Sequence, residues 1–203
     1  MATIWALLLD ADGVVQLPAP AWRASLEALC GDPGRTDEFL ADVFAAEKPC
    51  LISGAGFDAA LAGVLAKWRS RVRVQEALRI WTQIEPDADI LALVSTLRAS
   101  GVAVALATNQ QAYRANYMTN ALGYARHFDY LLNSCELGHA KPSVGYFSSA
   151  LAKIKIDPAA TLFIDDHQAN VAAARNSGLR AELFHVSEGV GRIRAILKRH
   201  GLG

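Results

Sequence analysis

Two aspartates separated by one small residue follow an apolar run near the start of the chain. The stretch LLLDADGVVQ places Asp10 and Asp12 directly after three leucines, and Gly13 and two valines come next. Such a short, continuous apolar run is typical of a buried strand. A buried strand tolerates acids at its end where a metal cation or a positively charged side chain meets them. Asp10 and Asp12 are therefore candidates for metal binding or catalysis.

Polar residues also follow three later segments of the chain. Thr108 and Asn109 follow the run VAVALA, Lys141 lies in GHAKP, and Asp165 and Asp166 end the run that begins TLFID. Taken singly, Thr108 and Asn109 would be interpreted as ordinary helix caps, and Lys141 as a solvated loop residue. The two later aspartates could likewise only cap the helix that follows them. The DADG stretch alone also fits a turn, and it lacks the further acids of a calcium loop. The occurrence of all these polar residues at the ends of successive strands favours one shared site.

The acids and the lysine suit the binding of a phosphate together with a hard cation. Asp10 and an acid of the later pair, Asp165 or Asp166, can ligate Mg²⁺, which prefers oxygen ligands and often keeps a substrate phosphate in its shell. The cation and Lys141 would offset the charge of the phosphate. Thr108 and the backbone N–H after it can hydrogen-bond the non-bridging phosphate oxygens.

The first two aspartates suit the transfer itself. With the phosphate charge offset, Asp10 can attack phosphorus in line and form an aspartyl-phosphate, a known form of covalent catalysis by carboxylates. Asp12 is placed to protonate the leaving alcohol and then to deprotonate the hydrolytic water.

The elements that must position these residues alternate regularly between helix and strand. Helices are predicted over 90–100, 113–122, 143–154, 168–178 and 190–200, and strands over 102–107, 128–133, 161–165 and 181–186. Strands that alternate with helices predict a parallel sheet with helices on both faces. The ligand side of such a sheet is the edge where the strands end, since loops and helix N-termini meet there.

Residues 17–83 have a different pattern, with helical apolar stripes and no strand signal. The stripes are Trp22, Leu26, Leu29; Phe39, Leu40, Val43, Phe44; Leu61, Val64, Leu65, Trp68; and Val74, Leu78, Trp81. We therefore predict a core domain made of residues 1–16 and 84–203, and a small helical domain, residues 17–83, inserted after the first strand.

Composition limits the partners of the protein. The 203 residues are 52% hydrophobic, and twenty basic and twenty acidic residues give a net charge of zero, which favours neither nucleic acid nor an anionic membrane. Cys30, Cys50 and Cys135 are widely spaced and odd in number, as expected of free thiols. The apolar run 4–9 is too short for a signal peptide and has no basic segment before it. We expect a soluble, cytoplasmic protein, with its oligomeric state left open.

The four motifs, in this order, resemble those of the haloacid dehalogenase superfamily. They are DADGVV, ATNQ, KPSVGYF and FIDDHQANVAAA, and together they extend over most of the chain. The resemblance implies a phosphatase-type member with a Rossmann-like core and a helical cap, residues 17–83, that closes over the site and selects the substrate. After Lys141 this chain reads Pro-Ser-Val-Gly, whereas relatives more often have an acidic residue and a proline there.

The resemblance also implies a role for each residue. Asp10 would be the nucleophile and a Mg²⁺ ligand, and Asp12 the acid/base with its backbone carbonyl on the metal. Thr108, Asn109 and Lys141 would bind the phosphorylated substrate. Asp165 and Asp166 would hold Mg²⁺ directly or through water.

Three other functions stay open at this point. A 2-haloacid dehalogenase would use Asp10 on carbon without metal, but true dehalogenases lack an acid at the position of Asp12. A phosphomutase would return the phosphoryl group to its substrate, and a binding protein could keep the fold without catalysis. In the predicted cap, Lys48, Arg23 and Arg69 could contact substrate, although a solvated surface position is the favoured interpretation of each.

Overall fold

The structure, a computed structural model, describes residues 3–202, which contain seven strands. They are β1 (Ala6–Leu9), β2 (Gln16–Pro18), β3 (Ile84–Pro86), β4 (Ala103–Thr108), β5 (Tyr130–Asn133), β6 (Thr161–Asp165) and β7 (Arg180–Leu183). Five of them form one parallel sheet in the order β5-β4-β1-β6-β7. The predicted parallel α/β sheet is thus confirmed, with β1 at its centre.

Eleven α-helices surround the strands within the same described residues. They are α1 (Trp22–Glu27), α2 (Thr36–Glu47), α3 (Phe57–Lys67), α4 (Val74–Leu78), α5 (Ala88–Ala99), α6 (Ala112–Asn120), α7 (Tyr124–His127), α8 (Ser134–Leu137), α9 (Val144–Ile154), α10 (Gln168–Asn176) and α11 (Val190–Arg199). None of the helices so described is long and apolar enough to cross a bilayer.

The central strand β1 is buried on both faces, which explains why its sequence is apolar without alternation. Successive side chains point to opposite faces of a sheet. Leu7 and Leu9 accordingly belong to one apolar cluster, which includes side chains of α5 and α11. Ala6 and Leu8 belong to a second cluster, which includes side chains of α9 and α10. Helices therefore cover the sheet on both sides.

Between β2 and β3 the chain is helical, and we call residues 19–83 the helical segment. Helices α1 to α4 and three 3₁₀ turns make it up. Its buried apolar side chains form a third cluster, in which Phe39 packs edge-on against Trp68 and Phe57 against Trp81. The predicted stripes account for most of this cluster. Phe44 is an exception, since it is 42% exposed.

Some predicted boundaries are wrong. Residues 17–18 were expected in a purely helical region, yet they belong to β2, which pairs antiparallel with β3. This strand has three residues, of which two are exposed, so no alternating apolar pattern marks it. The strand predicted over 128–133 begins at Tyr130, after α7, and the one predicted over 181–186 ends at Leu183, because His185 caps a 3₁₀ turn there.

Candidate active site

The carboxyl ends of β1, β4 and β6 meet at one edge of the sheet, where a cavity of about 370 Å³ opens. Its lining includes six of the seven predicted site residues: Asp10, Asp12, Thr108, Asn109, Lys141 and Asp166. The seventh, Asp165, is fully buried beside it. Parallel strands that end at the same edge bring together residues that are far apart in sequence. The sequence-based grouping of these residues is therefore matched by the geometry.

Lys141 is the buried cation of this site. Its Nζ lies 2.9 Å from Oδ1 of Asp10 and 2.6 Å from Oδ2 of Asp165, and it donates a 2.8 Å hydrogen bond to the carbonyl of Ala107. Burial alone would lower the pKa of Lys141, but the two carboxylates outweigh burial and raise it. The side chain is therefore an ammonium held against Asp10.

The side chain of Asn109 holds the loop that carries this lysine. Its Nδ2 donates to the carbonyl of Lys141 at 2.9 Å, and its Oδ1 accepts from the N–H of Lys141 at 2.8 Å. Asn109, which we predicted to bind substrate, thus positions Lys141 in this structure. Its contact with substrate stays a prediction.

Three carboxylates, those of Asp10, Asp165 and Asp166, offer oxygen atoms that all lie within 4.8 Å of one another. Burial raises the pKa of Asp10 to about 7, with Lys141 opposing the rise and Asp165 adding to it. Burial also raises the pKa of Asp166, although His167 opposes it. Clustered carboxylates of this kind gain from a cation that offsets their mutual repulsion.

Asp166 keeps an oxygen free for such a cation. Its Oδ1 is buried and has no hydrogen-bond partner among residues 3–202, the nearest basic atom being Nε2 of His167 at 3.7 Å. Both oxygens of Asp165, in contrast, are engaged by Lys141, Asn170 and the N–H of His167. An all-oxygen donor set with one orphaned buried oxygen fits Mg²⁺.

Gly13 makes room for Asp166. Its φ of +80° is a conformation that glycine adopts without strain, and a Cβ there would lie only 2.3 Å from Oδ2 of Asp166. The glycine of the DADG motif is therefore required by both its backbone conformation and this close approach.

Asp12 is held by four hydrogen-bond donors. Arg114 forms a bidentate ion pair with it, Nη1 to Oδ2 at 2.5 Å and Nη2 to Oδ1 at 2.7 Å. Gln16 donates to Oδ1 and Gln110 to Oδ2, each at 2.9 Å. Burial would raise the pKa of Asp12, but Arg114 and the two amides lower it. A carboxylate offers about four acceptor positions, so Asp12 is ionised and saturated with donors here.

Arg114 also contacts the helical segment. Its Nε donates to the carbonyl of Trp81 at 3.0 Å, and the indole Nε1 of Trp81 donates to Glu47 at 2.7 Å. One guanidinium thus bridges Asp12 of the core and the backbone of the helical segment. No sequence pattern indicated Arg114, Gln16 or Gln110. The available signal was Asp12 itself, an acid just after a buried strand that needs a cation.

The alternative helix-cap interpretation of Thr108 and Asn109 is wrong. Helix α6 is capped by Gln111, whose Oε1 accepts from the N–H groups of Tyr113 and Arg114. The hydroxyl of Thr108 instead accepts from Nε2 of Gln110 at 3.2 Å, at the cavity.

Of the three cations considered in the predicted cap, Lys48 lines a neighbouring cleft together with Asn109 and Lys141. Arg23 pairs with Glu27, and Arg69 lines a surface cavity among charged residues such as Asp42. The solvated-surface interpretation therefore fits Arg23 and Arg69.

A family model for haloacid dehalogenase-like hydrolase matches residues 4–178, and the chain belongs to this family of enzymes. Among curated relatives, bifunctional epoxide hydrolase 2 of Mus musculus is 34% identical over 61 residues, which are 30% of this chain and 11% of the relative. Sesquiterpene phosphatase astK of Aspergillus oryzae is 31% identical over 96 residues, 47% of this chain and 49% of the relative. The matches thus extend over half or less of these relatives.

Solved structures share the fold. A HAD family enzyme from Bacteroides thetaiotaomicron, in complex with magnesium and inorganic phosphate, has a TM-score of 0.77 at 22% identity, covering 94% of this chain and 98% of that one. L-2-haloacid dehalogenase from Xanthobacter autotrophicus has a TM-score of 0.63 at 17% identity, covering 88% and 76%. At these identities the likeness concerns the fold alone, and both phosphate-binding and dehalogenase members share it.

Proposed function

We propose that this protein is a Mg²⁺-dependent phosphohydrolase that removes phosphate from a small phosphorylated metabolite through an aspartyl-phosphate on Asp10. The observation that carries the proposal is the group of Asp10, Asp165 and Asp166 beside the ammonium of Lys141, with one oxygen of Asp166 unpartnered. A dehalogenation at carbon makes no use of such a cation site. The Bacteroides enzyme with bound magnesium and phosphate, and the sesquiterpene phosphatase, agree with this function.

The metal would be held by Asp10, by Asp166 through its free oxygen, and by the backbone carbonyl of Asp12, with Asp165 acting through water. Mg²⁺ bound there supplies positive charge that offsets the phosphate. Asp165 already accepts from Lys141, Asn170 and the N–H of His167, so it is better suited to fix the lysine than to ligate directly.

The protein groups then divide the reaction between them. Lys141 binds a phosphate oxygen beside Asp10, and the hydroxyl of Thr108 donates to another. A carboxylate oxygen of Asp10 forms a bond to phosphorus as the bond to the leaving alcohol breaks. Water later attacks the phosphorus of the aspartyl-phosphate, which releases phosphate and restores Asp10.

Asp12 serves both steps as acid and base. To give a proton to the leaving oxygen it must first carry one, so at least one of its four donors has to release it. To take a proton from water it must be ionised, which is its state beside Arg114. The contact of Arg114 with Trp81 ties this exchange to the helical segment, which we propose as the cap.

The proposed location of the protein rests on its cysteines. The three cysteines are free thiols, which agrees with the proposed cytoplasmic location. A phosphomutase would share Asp10 and Asp12, and it differs only in where the phosphoryl group goes.

The test is turnover of p-nitrophenyl phosphate by purified protein, with and without Mg²⁺. We expect hydrolysis with Mg²⁺, loss of activity in excess chelator and its return when Mg²⁺ is added back. The Asp10→Asn variant serves as the control and should be inactive. Full activity in chelator, or release of halide from a 2-haloacid without any phosphatase activity, would overturn the proposal.

A further inference from the structure

A second cavity, which we call the cap cleft, lies between the helical segment and the core loop that carries Lys141. Its volume is about 650 Å³. On one side it is lined by Phe44 of α2 and by Leu51 and Ile52, and on the other by Pro142. This space is large enough for a chain or ring system of the size of a small ligand.

The cap cleft adjoins the active site, because two residues line both cavities. Asn109 and Lys141 line both cavities. Asn109 directly follows Thr108, and the ammonium of Lys141 lies 2.9 Å from Asp10. A phosphate held by Lys141 would therefore lie beside a residue that also borders the cleft.

Large apolar side chains are exposed in this cleft. Phe44 is 42% and Ile52 48% exposed, whereas the neighbouring stripe residues Phe39, Leu40 and Val43 of α2 are buried. Exposed apolar side chains grouped around a cavity are typical of ligand-binding surfaces. The same helix thus packs one apolar face into its own cluster and presents one aromatic ring to the cleft.

The polar groups of the cleft do not form a site for a second strong anion. Glu47 is an acid, and it accepts the indole N–H of Trp81 at 2.7 Å. Lys48 and His139 are exposed. With an acid among them, these groups do not present the convergent, buried cations that a second phosphate would need.

We propose that the cap cleft binds an apolar leaving group, so that the substrate is a phosphate monoester of an aliphatic or aromatic alcohol. This inference rests on the proposed phosphatase function. Leu17, which is exposed and lines the catalytic cavity, adds to the apolar surface next to the phosphate position.

The experiment compares kcat/KM for ethyl, butyl, hexyl and octyl phosphate in Mg²⁺. Each methylene that enters an apolar site contributes up to about fourfold. We expect a rise of at least tenfold from ethyl to octyl phosphate. Binding of the matching alkylphosphonates, measured by calorimetry, should tighten in the same order and does not depend on turnover.

Variants locate the effect in the cleft. Ile52→Asp should lower the octyl-to-ethyl ratio of kcat/KM by about tenfold, and Phe44→Ser, which changes another exposed position, should lower it as well. Trp5→Ala is the matched control, because Trp5 is an exposed aromatic residue just before β1, at the opposite end of that strand. It should leave the ratio unchanged.

The two proposals fail in distinguishable ways. If p-nitrophenyl phosphate is hydrolysed but the alkyl series is flat in both turnover and phosphonate binding, the apolar cleft is refuted and the phosphatase function stands. A preference for a sugar bisphosphate over octyl phosphate would refute the cleft in the same way. If no phosphate ester is hydrolysed with Mg²⁺, the phosphatase function fails.

Discussion

Replacing Lys141 with methionine tests the buried cation on which the site depends. The ammonium lies 2.9 Å from Asp10 and 2.6 Å from Asp165, and the lysine side chain is 1% exposed. Removing one partner of a buried ion pair leaves an uncompensated charge and costs about 3–5 kcal/mol. Methionine keeps much of the lysine's aliphatic volume, so a cavity adds little to this cost. We expect the free energy of unfolding in Mg²⁺-free buffer to fall by about 3–5 kcal/mol.

The same variant should lose catalysis. An ammonium that clamps a transferring phosphoryl group contributes about 10²-fold or more, so kcat/KM for p-nitrophenyl phosphate should fall by at least that factor. The assays are urea denaturation and steady-state kinetics in Mg²⁺.

A matched control is Lys153→Met. Lys153 is 44% exposed and lies 3.5 Å from Glu136 on the surface. Exposed ion pairs contribute about 0–1 kcal/mol, so both its stability and its activity should stay near those of the wild type. If Lys141→Met costs under about 1 kcal/mol, or lowers kcat/KM by less than about threefold, the reasoning on the buried cation is wrong.

Two further predictions concern the polar contacts between the core and the helical segment. Arg114→Lys loses the bidentate fork on Asp12, so kcat should fall about tenfold for an alkyl phosphate but less for p-nitrophenyl phosphate, whose leaving group needs no proton. Equal losses on the two substrates would show that Arg114 does not act through Asp12. Burial raises the pKa of Glu47, so the native state binds more protons than the unfolded state, and stability falls as pH rises through the raised pKa. Glu47→Gln, which keeps an acceptor for Trp81, should remove this fall. The measurement is the free energy of unfolding of the wild type and of Glu47→Gln at pH 5 and pH 8. The same change between the two pH values in both proteins would contradict the prediction.

The cluster of polar residues at one edge of the sheet could be predicted because it depends on local patterns. Apolar runs that end in Asp10, Thr108 and Asp165 indicate strands, and parallel strands place their ends together whatever lies between them. The order of the strands and their register were not needed for this step. The same logic predicted Lys141 after the strand β5, and in the structure the short helix α8 lies between the two.

The network around Asp12 could not be predicted in the same way. Arg114 lies 102 positions from Asp12 along the chain, and no local pattern shows that its side chain turns toward β1. Gln16 stands only four positions away, but its orientation depends on Tyr124, whose hydroxyl donates to it at 2.8 Å. Long-range polar contacts of this kind follow from packing and not from periodicity.

The exposure of Phe44 could not be predicted for a related reason. Its spacing with Phe39, Leu40 and Val43 suits one apolar stripe, but a helix buries only the part of that stripe that a neighbour covers. Phe44 lies at the margin, where the helical segment faces the core across the cap cleft.

Intact-protein mass spectrometry of the Asp12→Asn variant tests whether Asp10 carries the phosphoryl group during turnover, as we propose. Without the acid/base group, transfer from p-nitrophenyl phosphate should survive better than hydrolysis, which we expect to slow by about 10²–10⁴-fold. With Mg²⁺ present, we expect the variant to gain the mass of one phosphoryl group, peptide mapping to place that group on Asp10, and Asp10→Asn to gain none. Unimpaired steady-state turnover by Asp12→Asn would show that Asp12 is not the acid/base, and an adduct on any other residue would show that Asp10 is not the nucleophile.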